Sequence, residues 1–249
     1  MQRSGNTILI TGGGSGIGAA LAHRFHDLGN TVIIAGRRQA TLDAAAAGRA
    51  NIHTMTLDAD DPAAIKAFAA AVTARFPDLN VLVNNAGIMR IEPLDTARDL
   101  GDAEATIATN LLGPIRMTDA LVDHLVTRGI GAIVNVTSGL AFVPLVQTPT
   151  YSATKAALHS YTVSLRSALA GRVEVIELAP PAVQTELTPG QSTREGYQPL
   201  EEFADEVLAL FGETPTPAEV LVQRVHPLRF AERDDRFAAT LERLNGAAH

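Results

Sequence analysis

The sequence of 249 residues contains no cysteine and no tryptophan. The absence of cysteine excludes disulfide bonds and thiol nucleophiles, and it removes the ligands of the usual structural zinc sites. The seven histidines show no spacing typical of metal ligands. The sequence therefore predicts no metal site.

Long apolar runs and basic clusters are also missing. No run approaches the roughly 18 apolar residues needed to cross a bilayer. The N-terminus enters an apparent strand at Thr7, which leaves no room for a signal peptide. With a formal charge of −7 and scattered Arg and Lys, neither nucleic acid nor an anionic membrane is an expected partner. We expect a cytoplasmic protein.

The composition, 46% hydrophobic and 19% charged, is typical of a globular chain, and no break in it marks a linker. The length predicts one domain over residues 1–249. Short β-branched runs alternate with helical segments, which indicates a Rossmann-type, doubly wound parallel α/β sheet with helices on both faces. The predicted strands span residues 7–11, 31–35, 52–57, 81–83, 131–136 and 173–178.

A glycine-rich segment, T-G-G-G-S-G-I-G at 11–18, lies between the first predicted strand and the first predicted helix. Its glycines allow a tight turn and a close approach of the backbone to a pyrophosphate, and the helix N-terminus offers unpaired N–H groups. Such a segment alone is often only a turn, but dinucleotide-binding folds place it at this position. The segment predicts a dinucleotide cofactor.

The end of the second strand indicates which dinucleotide is bound. The chain reads A-G-R-R at 35–38, where NAD-binding proteins carry a carboxylate for the ribose 2′-hydroxyl. Guanidinium groups bind a 2′-phosphate, which a carboxylate would repel. NADP(H) is therefore preferred, with NAD(H) as the alternative if the arginines are merely exposed. Asp58, after the third strand, either accepts a hydrogen bond from the adenine amino group or helps to cap the next helix.

Tyr151 and Lys155 are four residues apart on a predicted helix, so the phenol and the ammonium share one face. A neighbouring cation favours the ionised phenol, and we expect Tyr151 to exchange a proton below its ordinary pKa of about 10. The Ser138 hydroxyl is suited to polarise a carbonyl oxygen meanwhile. A Tyr–Lys pair alone is usually structural, but the glycine-rich segment and N-N-A-G at 84–87 make the combination indicate a nicotinamide-dependent oxidoreductase.

Five motifs follow one another along the chain: T-G-x-x-x-G-x-G (11–18), N-N-A-G (84–87), Asn110, Ser138 and Y-x-x-x-K (151–155). In order and spacing they resemble the short-chain dehydrogenase/reductase family from residue 7 to about 187. The segments T-S-G-L-A-F, A-T-K-A-A-L-H-S and V-E-V-I-E-L-A-P-P-A-V-Q-T are similar to its DltE-like oxidoreductase branch. The resemblance implies interconversion of a carbonyl and a secondary alcohol by hydride transfer.

The resemblance also implies a catalytic set formed by Asn110, Ser138, Tyr151 and Lys155. Tyr151 would protonate the substrate oxygen during reduction or act as the base during oxidation, and Ser138 would hydrogen-bond that oxygen. Lys155 would lower the Tyr151 pKa and hold the nicotinamide ribose. Asn110 would hold a water linking Lys155 to solvent, within a helix over 103–128 that Gly113-Pro114 interrupts.

The cofactor-binding residues are expected in the loops after the strands and on the catalytic helix: Gly12, Ser15, Gly16, Ile17, Gly18, Arg37, Arg38, Asp58, Ala59, Asn85, Ala86, Gly87, Tyr151, Lys155, Pro180, Val183 and Thr185. Thr185 would contact the nicotinamide carboxamide or the pyrophosphate. The family usually has Pro-Gly after the sixth strand, whereas this chain has Pro180-Pro181. A second proline predicts a stiffer or shifted loop beside the nicotinamide.

The stretch 186–212, rich in Pro, Gly, Thr and acidic residues, is predicted to be a substrate lid, with surface decoration as the alternative. The predicted walls of the substrate pocket are apolar: Leu140, Phe142, Val143, Leu187, Tyr197 and Phe203. Since no Arg or Lys is obviously placed to bind an acidic group, we expect a neutral, moderately hydrophobic carbonyl compound or alcohol as the small-molecule substrate.

Apolar residues at helical spacing predict a helical C-terminal tail over 228–245, where many relatives have a seventh strand and a glycine-rich tail. The sheet is therefore expected to have six or seven strands. The resemblance implies a homodimer through the helices at 103–128 and 150–170, with a tetramer as the alternative. His159 is expected to be a packed or interface histidine rather than a proton relay.

One alternative to an enzyme is a non-catalytic NAD(P)-binding sensor or partner-binding protein on the same fold. Such proteins typically lose a catalytic residue, and all four are present here. Pro181 is the residue that favours this alternative.

Overall fold

The computed structural model describes residues 1–246, so positions 247–249 of the predicted domain lie outside the described residues. The strands are β1 Thr7–Thr11, β2 Thr31–Gly36, β3 Ile52–Thr56, β4 Leu79–Asn84, β5 Gly131–Val136, β6 Val173–Leu178 and β7 Glu219–Val220. They form one parallel sheet in the order β3-β2-β1-β4-β5-β6-β7. The predicted fold class is confirmed, and residues 1–246 contain seven strands, one of the two numbers expected.

The α-helices are α1 Gly16–Asp27, α2 Gln39–Ala46, α3 Pro62–Arg75, α4 Gly101–Ile107, α5 Gly113–Thr127, α6 Pro149–Ala168, α7 Leu200–Phe211, α8 His226–Arg229 and α9 Phe237–Gly246. Short 3₁₀ turns occupy Gly139–Ala141, Gln191–Thr193 and Gln223–Val225. No helix within residues 1–246 is long and apolar enough to pass through a bilayer.

Helices cover both faces of the sheet because alternate residues of each strand point to opposite faces. In β1, Ile8 and Ile10 pack with residues of α1 and α7, whereas Leu9 packs with residues of α3 and α5. The strand order reverses between β1 and β4. In doubly wound sheets, ligands bind beyond the carboxyl ends of the strands at this reversal, so the fold directs attention to that edge.

The long helix predicted over 103–128 is interrupted, but at a different position from the one predicted. A π-helical turn, Ala108–Leu112, separates α4 from α5. Pro114 lies in the first turn of α5, directly after the π-helical turn, and it has no N–H to donate to the carbonyl groups of that turn. The interruption therefore precedes Gly113-Pro114 and includes Asn110 itself.

The predicted lid over 186–212 is wrong in its second half. Residues Leu200–Phe211 form α7, which packs on α1. Phe203 is fully buried in the core, and the Phe211 ring lies 5.7 Å from the Phe25 ring. The acidic and turn-forming residues of this stretch suggested a loop, but the apolar face of α7 covers the sheet instead.

The tail is not one helix over 228–245. The helix α8 ends at Arg229, and α9 starts at Phe237. Between them Asp235 adopts a positive φ of 54°, and the Arg236 N–H donates to the Ala231 carbonyl at 2.7 Å. This left-handed residue ends the helical path, which the apolar spacing alone did not reveal.

Candidate active site

A cavity of about 660 Å³ opens beyond the carboxyl ends of the strands. The predicted cofactor-binding residues that line it are Gly12, Ser15, Gly16, Ile17, Arg37, Arg38, Asn85, Ala86, Gly87, Tyr151, Lys155, Pro180, Val183 and Thr185. They follow different strands, and they meet because parallel strands all end at the same edge.

Three other predicted residues lie beside this cavity. Asp58 and Ala59 line a smaller adjoining space of about 130 Å³, which shares Gly12 with the main cavity. The Asp58 carboxylate accepts the Asp60 N–H at 3.0 Å, whereas Asp61 caps α3. Asp58 therefore does not cap the helix. Gly18 packs behind the cavity: a Cβ there would lie 2.5 Å from the Gly12 carbonyl oxygen.

The glycine-rich segment forms a cradle that side chains would fill. A Cβ on Gly12 would lie 2.9 Å from the Ala86 Cα, and Gly16 adopts a φ of +52°. Ser15, the N-cap of α1, makes no side-chain capping bond. The first amides of α1 thus remain available at the cavity, and helix N-termini favour anions. These features fit the diphosphate of a dinucleotide.

Thr11 joins this cradle to the loop after β4. Its hydroxyl oxygen accepts the N–H groups of Asn85 at 3.0 Å and Ala86 at 3.1 Å. The Asn85 side-chain amide donates back to the Thr11 carbonyl at 2.9 Å. Sequence reasoning noted Thr11 only as a strand end, since its role depends on a partner more than 70 residues away.

Arg37 and Arg38 lie at one end of the cavity, immediately after β2, and both are exposed. Within residues 1–246, neither guanidinium has an ion-pair partner. Both are therefore available to an anionic group bound at this end.

Ser138, Tyr151 and Lys155 meet at the other end. The Ser138 hydroxyl lies near that of Tyr151 and acts to lower its pKa, and the Ser138 oxygen accepts the Leu140 N–H at 3.1 Å. The Lys155 ammonium lies 5.5 Å from the Tyr151 ring centre and donates to the Val136 carbonyl at 2.8 Å. All three side chains are buried but line the cavity.

The pKa of Tyr151 differs from the expectation. Burial raises it to about 12, although the Ser138 hydroxyl acts in the opposite direction. Burial also lowers the pKa of Lys155 to about 8. The expected lowering of the Tyr151 pKa by Lys155 was wrong for the protein alone, because removal from water disfavours the charged form of both groups. At neutral pH Tyr151 therefore carries its proton.

Asn110 lies behind the cavity and is fully buried in the π-helical turn. Its side chain accepts the Ile88 N–H at 2.9 Å and donates to the Ile88 carbonyl at 2.8 Å. A Cβ on Gly87 would lie 3.3 Å from Asn110 Oδ1 and 3.7 Å from Lys155 Nζ. Asn110 and Lys155 thus approach Gly87 together.

The predicted substrate wall is largely absent from the cavity. Leu187 lines it, but Leu140, Phe142, Val143, Tyr197 and Phe203 do not. Val143 and Phe203 are fully buried in the interior, and Tyr197 hydrogen-bonds to Arg194 at its hydroxyl. Their proximity in sequence to Ser138 or to the predicted lid did not determine the direction of their side chains.

Other residues complete this end of the cavity: Arg90, Pro181, Glu186 and Gln191. The Gln191 amide donates to the Val183 carbonyl at 2.8 Å and to the Thr185 hydroxyl at 3.2 Å, which fixes the 3₁₀ turn against the site. The Pro180 carbonyl accepts the Gly139 N–H at 2.8 Å, so the double proline is tied to the Ser138 loop. In the sequence the double proline marked Pro181, and Glu186 and Gln191 lay within the predicted lid, whereas Arg90 had no signal.

The chain is similar to known oxidoreductases over most of its length. The sequence model of the family described as "short chain dehydrogenase" matches residues 6–196. The chain is 40% identical over 249 residues to the "Uncharacterized oxidoreductase DltE" of Bacillus subtilis strain 168, with 98% of each chain covered. It is 37% identical over 176 residues to the "NADP-dependent 3-hydroxy acid dehydrogenase YdfG" of Salmonella typhi, which covers 70% of this chain and 71% of that one.

A solved structure shares the whole architecture. The short chain dehydrogenase from Burkholderia cenocepacia J2315, in complex with NADP, superposes with a TM-score of 0.83 at 30% sequence identity. The superposition covers 97% of this chain and 99% of that chain.

Proposed function

The chain belongs to the short-chain dehydrogenase/reductase family and is an oxidoreductase, and from that premise we propose that it interconverts a carbonyl compound and a secondary alcohol with NADP(H). The observation that carries the proposal is the meeting of Ser138, Tyr151 and Lys155 at one end of a cavity whose other end carries two arginines. A hydride donor or acceptor and a proton donor or acceptor are what this reaction needs.

The residues at the cofactor end fit NADP(H). The glycine cradle and the amides of α1 would hold the diphosphate, and Arg37 and Arg38 would bind the 2′-phosphate as charge-assisted partners. Asp58 would face the adenine. NADP-dependent YdfG and the NADP complex of the structural relative support this choice over NAD(H). The bound nicotinamide supplies or accepts the hydride.

At the other end, Tyr151 holds the proton that the reaction moves. During reduction its hydroxyl donates this proton to the substrate oxygen, and during oxidation it takes the proton back. Ser138, which lies beside Tyr151, hydrogen-bonds the same oxygen. The Lys155 ammonium would stabilise the phenolate that forms when Tyr151 gives up its proton, which offsets the effect of burial.

The proposed substrate class includes acidic compounds, which the sequence had not suggested. Arg90 lines the cavity, its side chain is 52% exposed, and its ion pair with Asp102 is long at 3.7 Å. The 3-hydroxy acid dehydrogenase among the relatives acts, by its name, on a compound with an acidic group. Carbonyl compounds with and without an acidic group are therefore both candidates.

The test is oxidation of NADPH followed by absorbance over a panel of aldehydes and ketones, in matched pairs with and without a carboxylate. We expect turnover with NADPH, and a loss of about 10³-fold in kcat for Tyr151→Phe at unchanged affinity for NADPH. Affinity is measured separately by calorimetry. The Tyr161→Phe variant is the matched control, because Tyr161 lies on the same helix but does not line the cavity.

A Tyr151→Phe variant with wild-type turnover would contradict the proposed chemistry. If the protein binds NADPH but turns over no member of the panel, the result favours a sensor or partner-binding protein on the same fold.

A further inference from the structure

One buried carboxylate lies behind the loop that carries Ser138, and it takes no part in the proposed reaction. The Glu177 side chain, on β6, is completely buried. The Thr137 hydroxyl donates to one of its oxygens at 2.6 Å, and Nδ1 of His159 hydrogen-bonds the other at 2.7 Å. A carboxylate removed from water is costly unless partners replace its hydration. These two contacts therefore fix Glu177 firmly.

A second carboxylate, Glu219 on β7, is the neighbour of Glu177 in the sheet register. Arg229 donates two hydrogen bonds to it, at 2.6 and 2.8 Å. The Phe142 ring joins the two pairs, since it lies 4.6 Å from the Arg229 guanidinium and 5.0 Å from the His159 ring. We call this set the charge network: Thr137, His159, Glu177, Glu219 and Arg229.

The charge network touches both segments that carry the catalytic side chains. Thr137 immediately precedes Ser138, and its N–H donates to the Leu178 carbonyl at 2.8 Å. His159 follows Lys155 by one turn of α6, the helix that also carries Tyr151. The Glu177 carboxylate thus bridges the β5 end to α6 from behind the cavity.

We propose that Glu177 and His159 are positioning residues, which hold Thr137 so that the neighbouring Ser138 hydroxyl keeps its place beside Tyr151. This inference rests on the proposed function for its effect on turnover, but the geometry that it describes exists without substrate. The direct connection of Thr137 to Ser138 matters because catalytic groups must be held to within a fraction of an ångström.

The arrangement also predicts a pH dependence. The hydrogen bond to Glu177 raises the pKa of His159 from its ordinary 6.5, opposed by burial. The charge of Glu219 adds to the rise, and that of Arg229, from α8, opposes it. Since the folded-state pKa is the higher one, the ion pair stabilises the fold fully below pH 6.5 and loses this contribution as the pH rises through the folded value. The positioning of Ser138 should therefore weaken as the pH rises.

The decisive measurement is made without substrate. The chain has only three tyrosines, so ¹³Cζ-tyrosine labelling gives three NMR signals, and Tyr151→Phe assigns that of Tyr151. Ser138→Ala defines the signal position without the Ser138 hydroxyl. We expect Glu177→Gln, which removes charge at constant shape, to move the Tyr151 signal toward that position. Thr137→Val removes the hydroxyl that bonds Glu177, and it should move the Tyr151 signal in the same direction.

Glu174→Gln is the matched control, since Glu174 lies on the same strand but is exposed and pairs with the N-terminal amine of Met1. It should leave the Tyr151 signal and kcat unchanged. Glu177→Gln should lower kcat by about 10-fold at unchanged KM for NADPH. It should also remove the part of the alkaline decline in kcat that follows the His159 titration, measured by NMR of the imidazole.

Wild-type Tyr151 signals in both Glu177→Gln and Thr137→Val would overturn the inference, and so would a wild-type kcat in Glu177→Gln. If Glu177→Gln does not fold, Thr137→Val gives the answer alone. Absence of turnover in the wild-type protein would instead count against the proposed function, and the NMR result would still decide this inference.

Discussion

The two ends of the cavity are built by different means. At the cofactor end, backbone groups and glycines form the surface, and Gly12 is packed so closely that a Cβ would lie 2.9 Å from Ala86. At the substrate end, side chains from distant segments form it, among them Arg90, Leu187 and Gln191. The first end depends on turns encoded within a few residues, whereas the second depends on how the whole chain packs.

The largest expected effect distinguishes Leu187, which lines the cavity, from Phe203, which was predicted to line it but lies in the core. Phe203→Ala should lower the free energy of unfolding by about 3–5 kcal/mol, because it leaves a cavity in the core. Leu187, which lines the site and is 36% exposed, should change stability by less than about 0.5 kcal/mol when replaced by Ala. Urea denaturation measures both.

Kinetic measurements extend the comparison of Leu187 with Phe203. Leu187→Ala should raise the KM for the carbonyl substrate severalfold, whereas the milder Phe203→Leu should leave it unchanged. A selective change of KM in Phe203→Leu with wild-type stability would restore Phe203 to the substrate wall.

The next prediction concerns the cofactor end of the cavity, which is formed by backbone groups and glycines. Gly18→Ala places a Cβ 2.5 Å from both the Gly12 carbonyl oxygen and the Asn85 side-chain amide. Because one of these neighbours is backbone, we expect a loss of about 1–3 kcal/mol in stability and weaker NADPH binding, measured by thermal unfolding with and without NADPH. Gly246→Ala, whose new Cβ would have no atom of residues 1–246 within 4 Å, should behave as wild type. Equal stability of the two variants would show that the cradle is not tightly packed.

The smallest effect concerns the arginines. Replacing Arg37 and Arg38 by Ala, singly and together, should lower the preference for NADPH over NADH in kcat/KM by about 10-fold or more, since charge-assisted contacts to a phosphate are lost. The kcat/KM for NADH should change little. Arg128→Ala, on the surface near Asp78, controls for the change in net charge. An unaltered preference would mean that another part of the chain selects the cofactor.

The same contrast explains what the sequence could predict. The glycine-rich segment, Asp61 as the cap of α3 and the i, i+4 spacing of Tyr151 and Lys155 are local, and local spacing determines them. The fold class followed from the alternation of strands and helices. These local signals were sufficient to predict the cofactor end of the cavity and the helix α6 that carries Tyr151 and Lys155.

The remaining features depend on long-range packing. Residues 200–211 read as part of a loop because their acids and the neighbouring prolines outweighed the apolar face that packs on α1. Arg90 lies in no motif, and the segment 173–185 that resembles the family branch assigns no role to Glu177. Arg90 pairs with Asp102 on α4, and Glu177 is held by Thr137 and by His159 on α6. The raised pKa of Tyr151 likewise depends on burial, which a helical spacing does not report.

The π-helical turn at Ala108–Leu112 makes residue count as important as residue type in this part of the chain. Each residue of an α-helix turns the chain by about 100°. A π-helical turn closes its hydrogen bonds over one residue more than an α-helical turn, so it accommodates one extra residue between α4 and α5. Deleting that residue would restore α-helical bonding, whereas inserting another would turn Met117 and Leu121, both buried against the sheet, away from the core. Either change would move Asn110, which lies in the turn itself, relative to its partner Ile88. We therefore expect substitutions to be tolerated more readily here than any insertion or deletion.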